Sequence, residues 1–495
     1  MSTYPLSAAR PASAPAPARS IPWVLYGSFA LAMLLAVGLT LSDPYLSALV
    51  PPRIWQRLRL QNSPFQALFL VLPLALATSV IAHYLSRAPD TRSALIVLIV
   101  IGMQINGLRP VGVDLLTFMP FIALGYVLAE CLARPRVPLH LTGAVFFGMA
   151  LLLLDVPHLA DTNEQSPARF VINLMSMTRS VLIGVALILL IDQRKHLEIA
   201  IRAVVLVGAL SALVGVMQMV LLKVAGISFS LAPPEADMKP TFLGTVLRAS
   251  GLTTWAQWLA DFQIIAIPFA LMALARARTR RRTLVALASL TIMFAAVFFT
   301  FTYAAWFGCV VILVAWAFAR WPQRSLHFLL FGLLAGTVFY MAGGFNWLRD
   351  SGLYKFGNSS GMLDRQAYLH ATLDELIRDP WLGRGIYTDE DLSGNFQRKR
   401  VHNAGLQAWL YFGLPGLLIF VAMTLWLLTQ STLMAVLTRG RDRQIFQCLA
   451  IALGAAILTM FAQPALVAQA TWFLVGLASA AIRVVRSDSS PGRQP

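Results

Sequence analysis

Apolar stretches of about 18 to 25 residues recur along most of this chain, and nothing else in it limits the fold as strongly. A helix of about 20 apolar residues spans a hydrocarbon layer of roughly 30 Å with its backbone polar groups paired internally. Candidate segments lie near 21–41, 64–85, 93–106, 114–132, 140–158, 170–191, 202–223, 253–275, 283–300, 302–319, 325–344, 414–437, 445–462 and 468–485. With 58% hydrophobic and only 12% charged residues, the chain has too little polar surface for a soluble protein of 495 residues. The reading is an all-α, polytopic transmembrane helical bundle of about 12 to 14 spans, with one large extracytoplasmic loop containing short helices.

Charge orients the bundle. Lys+Arg 39 against Asp+Glu 22 gives a net +17. The positive residues cluster in alternate loops, at Arg87/Arg92, Arg134/Arg136, Arg194/Lys195, "RARTRRR" at 276–282, Arg320/Arg324, Arg439/Arg441/Arg443 and the tail with Arg483, Arg486 and Arg493. The positive-inside rule then places those loops and both termini in the cytoplasm. Residues 1–20, rich in Pro, Ala and Ser, read as a disordered cytoplasmic tail. Helices follow over 21–344, interrupted by an extracytoplasmic loop at 224–250; a large loop occupies 345–413, C-terminal helices 414–486, and a short tail 487–495. "RIWQRLRL" at 53–60 would fall outside against the rule and reads either as an interfacial helix or as an error of topology. Cys131, Cys309 and Cys448 lie within or at the ends of apolar segments, so neither a disulfide nor a metal site is expected.

The large loop holds most of the chemistry-bearing residues. It carries Arg365, Arg384, Arg398, Lys399 and Arg400, and ends on "VHNAGLQAWLYFGLPG" at 401–416. Leu369, Leu373, Leu376 and Ile377 recur at helical spacing, with Arg365 on the same side. No nucleotide-binding loop, HExxH, CxxC or GxSxG element occurs. A transferase outside the cytoplasm has no nucleotide pool, so its donor must arrive already activated in the membrane, and arginine suits the phosphates of such a lipid. His402 follows the basic cluster directly: it is either a base for an acceptor hydroxyl or, with Asn403 as N-cap, the opening of a helix. Gly413, Pro415 and Gly416 form a structural turn that breaks that helix before the next span. Arg179 stands within an apolar span and needs a partner or a watery cavity; Asp261 is a candidate partner.

These motifs resemble the bacterial O-antigen ligase and O-antigen polymerase family. Its large-loop signature, His then Asn, Ser or Gln, nine residues and Gly-x-x-Gly, is matched by His402, Asn403 and Gly413-Leu-Pro-Gly416. An Arg-x-x-x-Leu element (Arg365 to Leu369), a PxxGxG turn ("PWLGRG", 380–385) and an Arg-x-x-Gly element in "LRASGL" at 247–252 follow the family order. The chain departs where members carry Asn-Pro-Asn, here Trp255-Ala256-Gln257, and where they carry Ser-Arg, here Thr302-Tyr303.

The resemblance implies a metal-independent, cofactor-free glycosyltransferase at the periplasmic face of the bacterial inner membrane. It would move a polysaccharide from undecaprenyl diphosphate to an acceptor hydroxyl. His402 would be catalytic, with Arg248, Arg365 and Arg179 on the diphosphate. Asn403, Arg384, Arg398, Lys399 and Arg400 are candidate lipid or acceptor contacts. The acceptor would be lipid A core for a ligase, or a second lipid-linked glycan for an O-antigen or exopolysaccharide polymerase. A lipid-linked glycan transporter is the alternative of another class, and nucleic acid is not an expected partner.

Overall fold

The computed structural model describes residues 89–105, 119–133, 142–154, 167–226, 238–241, 244–253 and 255–342. It continues with 369–370, 372–374, 376–377, 380–386, 403–461, 463, 466 and 468–488. The spans expected at 21–41 and 64–85, the basic segment 53–60 and most of the large loop lie outside the described residues.

Helices α1 (Thr91–Gln104), α2 (Met119–Ala133), α3 (Gly143–Leu153) and α4 (Pro167–Leu190) come first. Then follow α5 (Arg194–Ala225), α6 (Ala256–Ala275), α7 (Arg280–Phe299), α8 (Tyr303–Arg320), α9 (Pro322–Met341), α10 (Ala404–Leu437), α11 (Gly440–Met460) and α12 (Gln469–Asp488). Seven of these, α5 to α8 and α10 to α12, are long and apolar enough to cross a membrane, and further shorter apolar helices accompany them. The chain is a polytopic helical membrane protein. Among the described residues the departure from an all-α fold is one short hairpin, β1 (Met238–Thr241) antiparallel to β2 (Gly244–Leu247), with Met238 opposite Leu247.

In lipid, helices gain little from hiding apolar surface from one another, so close packing over small residues carries the association. The α4–α12 crossing shows this: a Cβ on Gly476 would meet the Gly184 carbonyl at 2.6 Å, and one on Gly184 would meet the Trp472 carbonyl at 2.8 Å. Likewise Gly208 of α5 admits α6, where an added Cβ would lie 2.9 Å from that of Ala266. Helix α11 packs against α6, α8 and α10 and so joins the two halves of the bundle. Helices α7 and α8 turn Leu284, Val285, Leu287, Phe298, Phe307 and Val310 outward, as a lipid-facing wall would.

One end of the bundle is held by charge. Arg92, which the sequence pattern left outside a helix, sits in the first turn of α1 and bridges Glu130 (2.6 Å) and Asp192 (2.5 Å). His196, 2% exposed, lies between Asp192 (2.5 Å) and Asp90 (3.1 Å), and Lys195 reaches Asp90 at 2.8 Å. Arg194 pairs with Asp442 at 2.6 Å, and Arg441 pairs with Glu198, which ties α11 to α5. Burial alone would raise the Asp90 pKa, but hydrogen bonds from Lys195, the Ser93 backbone and His196 outweigh it and hold the carboxyl well below the usual range. Asp192 is lowered in the same way, with burial opposed by His196 and Arg92.

A depressed native pKa stabilises the fold above the unfolded value of about 3.9, and that stability is lost as pH falls further. The wild type should therefore lose thermal stability in detergent more steeply below pH 4 than Asp90→Asn does. Parallel acid profiles for the two proteins would contradict this.

Candidate active site at the opposite end

Arg248 leaves β2 at the end of the bundle away from that charge network, and the local sequence fixes how it is presented. Gln218 of α5, 3% exposed, accepts from the backbone N–H of Ser250 (3.0 Å) and Gly251 (2.9 Å) and donates to the Gly251 carbonyl (2.9 Å). Gly251 adopts φ +62, and a Cβ there would stand 2.6 Å from the Ser211 carbonyl, which accounts for the glycine three residues after the arginine.

On the other side, Ala249 N–H donates to the Phe299 carbonyl at 3.0 Å. The guanidinium of Arg248 donates to the Thr300 carbonyl (2.6 Å) and to Thr302 Oγ1 (2.7 Å). Between these two acceptors sits Phe301 at φ +48, the sole non-glycine residue of positive φ among the described residues. Such a conformation costs of order 1–3 kcal/mol and persists only where its surroundings enforce it. Here the packed aromatic group does so, with Trp306 stacked on Phe298 at 5.0 Å and Tyr303 edge-on to Trp306 at 5.3 Å.

Gln218→Leu would remove the three hydrogen bonds that the amide makes to the Ser250 and Gly251 backbone. A loss of roughly 3 kcal/mol in local stability is expected. It should show as faster amide exchange at Ser250 and Gly251, with the protection of α5 retained elsewhere; unchanged exchange at those two amides would refute the role.

The second element is a lock between two glycine turns. Helix α10 runs from Ala404 to Leu437 but breaks at Gly413, which takes φ +67 and ψ −171. Pro415 has no N–H to offer the Tyr411 carbonyl, and that carbonyl accepts instead from Gly385 N at 2.9 Å. The Leu410 carbonyl accepts from Arg384 N (2.7 Å), while Leu414 N donates to the Pro380 carbonyl (2.9 Å). Trp409 Nε1 donates to the same carbonyl at 3.0 Å. Thus the "PWLGRG" turn supplies the partners that the helix break removes. The fit needs bare backbone on both sides: a Cβ on Gly413 would collide with the Trp381 carbonyl, and one on Gly383 (φ +69) would stand 2.8 Å from the Leu410 carbonyl.

Asn403 caps α10: its Oδ1 accepts from Gly405 N (2.9 Å) and Leu406 N (3.0 Å). Its Nδ2 donates to the Phe461 carbonyl at the end of α11 (3.3 Å). The residue after His402 therefore ties the start of α10 to α11. That same end of α11 meets α8, because a Cβ on Gly308 would lie 3.0 Å from Thr459 and 2.8 Å from Ile264 of α6. Arg248 on the Thr302 cap of α8 and Asn403 on the Phe461 cap of α11 thus belong to one end of one helix cluster.

Other expected residues fare differently. Arg384 is exposed, and its backbone rather than its charge makes the turn. Arg179 lies in α4 beside the first turn of α12: with the Gln469 amide oxygen turned toward it, Gln469 accepts from Nε (3.1 Å) and Nη2 (2.7 Å). No ion pair joins Arg179 to Asp261, which corrects that candidate pairing. In the loop helix Thr372 and Leu376 are buried while Leu369 and Ile377 are exposed, so the inward face is rotated from the one the apolar spacing indicated. His402, Arg365, Arg398, Lys399 and Arg400 lie outside the described residues.

Gln218 and Phe301 were not singled out from the sequence as parts of the site, and Thr302 was noted only as a departure from the family pattern. A neutral glutamine in a long apolar helix was the available signal for the first. Among the described residues no group of His, Cys, Asp and Glu is arranged to hold a metal ion.

Comparison with known proteins adds one match. No curated protein matches the chain. A family model described as O-antigen ligase matches residues 288–421, a segment that runs from α7 through the "PWLGRG" turn and His402 to the Gly413–Gly416 break. Arg248 stands upstream of the matched segment, yet it is held by Thr300 and Thr302 within it. Over residues 288–421 this chain is similar to the O-antigen ligase family.

Proposed function

We propose that this protein is an O-antigen ligase-type glycosyltransferase of the bacterial inner membrane. On this reading both termini are cytoplasmic, and the Arg248 end of the bundle faces the periplasm. The observation that carries the reading is the lock between 380–385 and Gly413, which assembles two elements of the family pattern at the end that also presents Arg248.

The donor is a polysaccharide on undecaprenyl diphosphate. An acceptor hydroxyl attacks the anomeric carbon as the carbon–oxygen bond to the diphosphate breaks. His402 takes the hydroxyl proton, and the diphosphate leaves as an anion held by Arg248 and Arg365. A diphosphate leaving group needs no proton from an acid, and guanidinium groups match its charge, so the reaction requires no metal ion. Arg179, bound to Gln469, is a further candidate for the lipid phosphate. Arg398, Lys399 and Arg400 suit lipid headgroups.

Lipid A core is the acceptor that the ligase description favours. The test offers purified protein the lipid-linked glycan together with lipid A core or with a second lipid-linked repeat. Transfer to the core is the expected result. Lengthening of the lipid-linked chain would make the protein a polymerase, and transfer to neither would leave the transporter reading standing in its place.

A further inference from the structure

Toward the end of the bundle that carries Arg248, several polar atoms are sealed from solvent and without a hydrogen-bond partner. They are Asp261 Oδ2 on α6, both amide atoms of Gln463 in the turn after α11, and Gln407 Oε1 on α10. Gln463 is 4% exposed and Gln407 1%. Buried polar atoms are ordinarily paired, so a group of orphans at one end of a bundle needs an explanation.

Their placement relates them to one another. Ile264 and Thr459 meet across Gly308. Asp261 is one helical turn from Ile264, and Gln463 four residues beyond Thr459, both toward the Arg248 end. The Cα–Cβ bond of Asp261 tilts toward the start of α6, which carries the carboxylate further that way. Gln407 stands one turn after Asn403, whose side chain binds the Phe461 carbonyl two residues before Gln463. Gln407 Nε2 is engaged by Tyr411 Oη at 2.9 Å, which leaves its oxygen as the open atom.

We propose that Asp261, Gln407 and Gln463 form a subsite for sugar hydroxyl groups beside the phosphate-binding Arg248. The inference rests on the glycosyl-transfer reading above. Three of the four orphan atoms are acceptors, and a carboxylate can only accept. A diphosphate has no hydrogen to give them, and an isoprenoid chain has no polar atom at all. A sugar offers several O–H donors on adjacent carbons, and its oxygens can in turn accept from Gln463 Nε2. The division of labour follows from the chemistry: arginine donors for the phosphates, carboxylate and amide oxygens for the sugar. The sugar belongs either to the donor, at the residue attached to the diphosphate, or to the acceptor.

The test measures binding to purified full-length protein in lipid nanodiscs, using wild type, Asp261→Asn and Gln463→Leu. Three probes are compared: undecaprenyl diphosphate bearing a disaccharide, sugar-free undecaprenyl diphosphate, and lipid A core oligosaccharide. Asp261→Asn keeps the side-chain shape, and circular dichroism confirms the fold of each variant. Affinity for one of the two sugar probes should fall about tenfold or more, as when a hydroxyl-binding site loses its partner, while the sugar-free lipid binds as before. The probe that weakens identifies the source of the sugar. Unchanged affinity for both sugar probes would mean that the orphan atoms hold structural water only and would overturn the subsite. Equal weakening toward the sugar-free lipid would overturn it as well. A wild-type protein that binds none of the three probes would remove the glycosyl-transfer reading and the subsite with it.

Discussion

Gly413→Ala should destabilise the site end of the bundle more than any other single-methyl change. Its Cβ would collide with the Trp381 carbonyl, and the residue would be held at φ +67, where alanine is strained. Relief requires the 380–385 turn to lift away. That would break the bonds from Arg384 N to Leu410, Gly385 N to Tyr411 and Leu414 N to Pro380, each contributing about 1 kcal/mol net and more if its groups stay buried. A loss of roughly 3–5 kcal/mol follows.

Gly383→Ala attacks the same contact from the other side, so the double substitution should cost far less than the sum of the two. Gly454→Ala is the control, because nothing lies within 4 Å of a Cβ at that position. Thermal unfolding in detergent, combined with protease sensitivity of the 345–402 loop, measures the effect. Wild-type behaviour of Gly413→Ala would show that the two turns do not depend on each other.

His402→Ala should lower the rate of glycosyl transfer by about 10²–10⁴-fold while leaving donor affinity near wild type, the pattern of a lost general base. The wild-type rate should rise with pH through the imidazole range, near 6.5, since the base must be unprotonated to accept the proton. The rise should disappear in the variant. A purely capping role would produce the opposite pattern: a small change in rate, an unaltered pH profile and lower stability. Asn403 already supplies the cap through its own side chain, so truncating the residue before it leaves those hydrogen bonds in place.

The membrane class was readable because an apolar run of ~20 residues needs no tertiary information. The break at Gly413 was readable for a similar reason: Gly-x-Pro-Gly cannot continue a helix undisturbed. What the break docks against was not, since the pairing of 380–385 with 410–414 depends on chain segments some thirty residues apart. Gln218 illustrates the same limit. Its amide reads as one polar residue in α5 until Ser250 and Gly251 are brought beside it. Thr302 and Tyr303 stand where the family carries Ser-Arg, and there the departure itself marks the place: Thr302 anchors Arg248, and Tyr303 joins the aromatic packing. The pairing of Arg179 with Asp261 failed because charge suggests partners but not helix neighbours. Helix α4 packs along α12, which brings Gln469 to Arg179.

The most direct measurement follows transfer from undecaprenyl-diphosphate-linked glycan to lipid A core by the purified protein in a metal chelator, with Arg248→Ala and His402→Ala alongside. The expected result is glycosylated core and released undecaprenyl diphosphate from the wild type. Product formation should fall about 10²-fold or more when either residue is removed. Transfer that requires an added metal ion, or that proceeds unchanged without His402 and Arg248, would contradict the assignment of the chemistry to this end of the bundle.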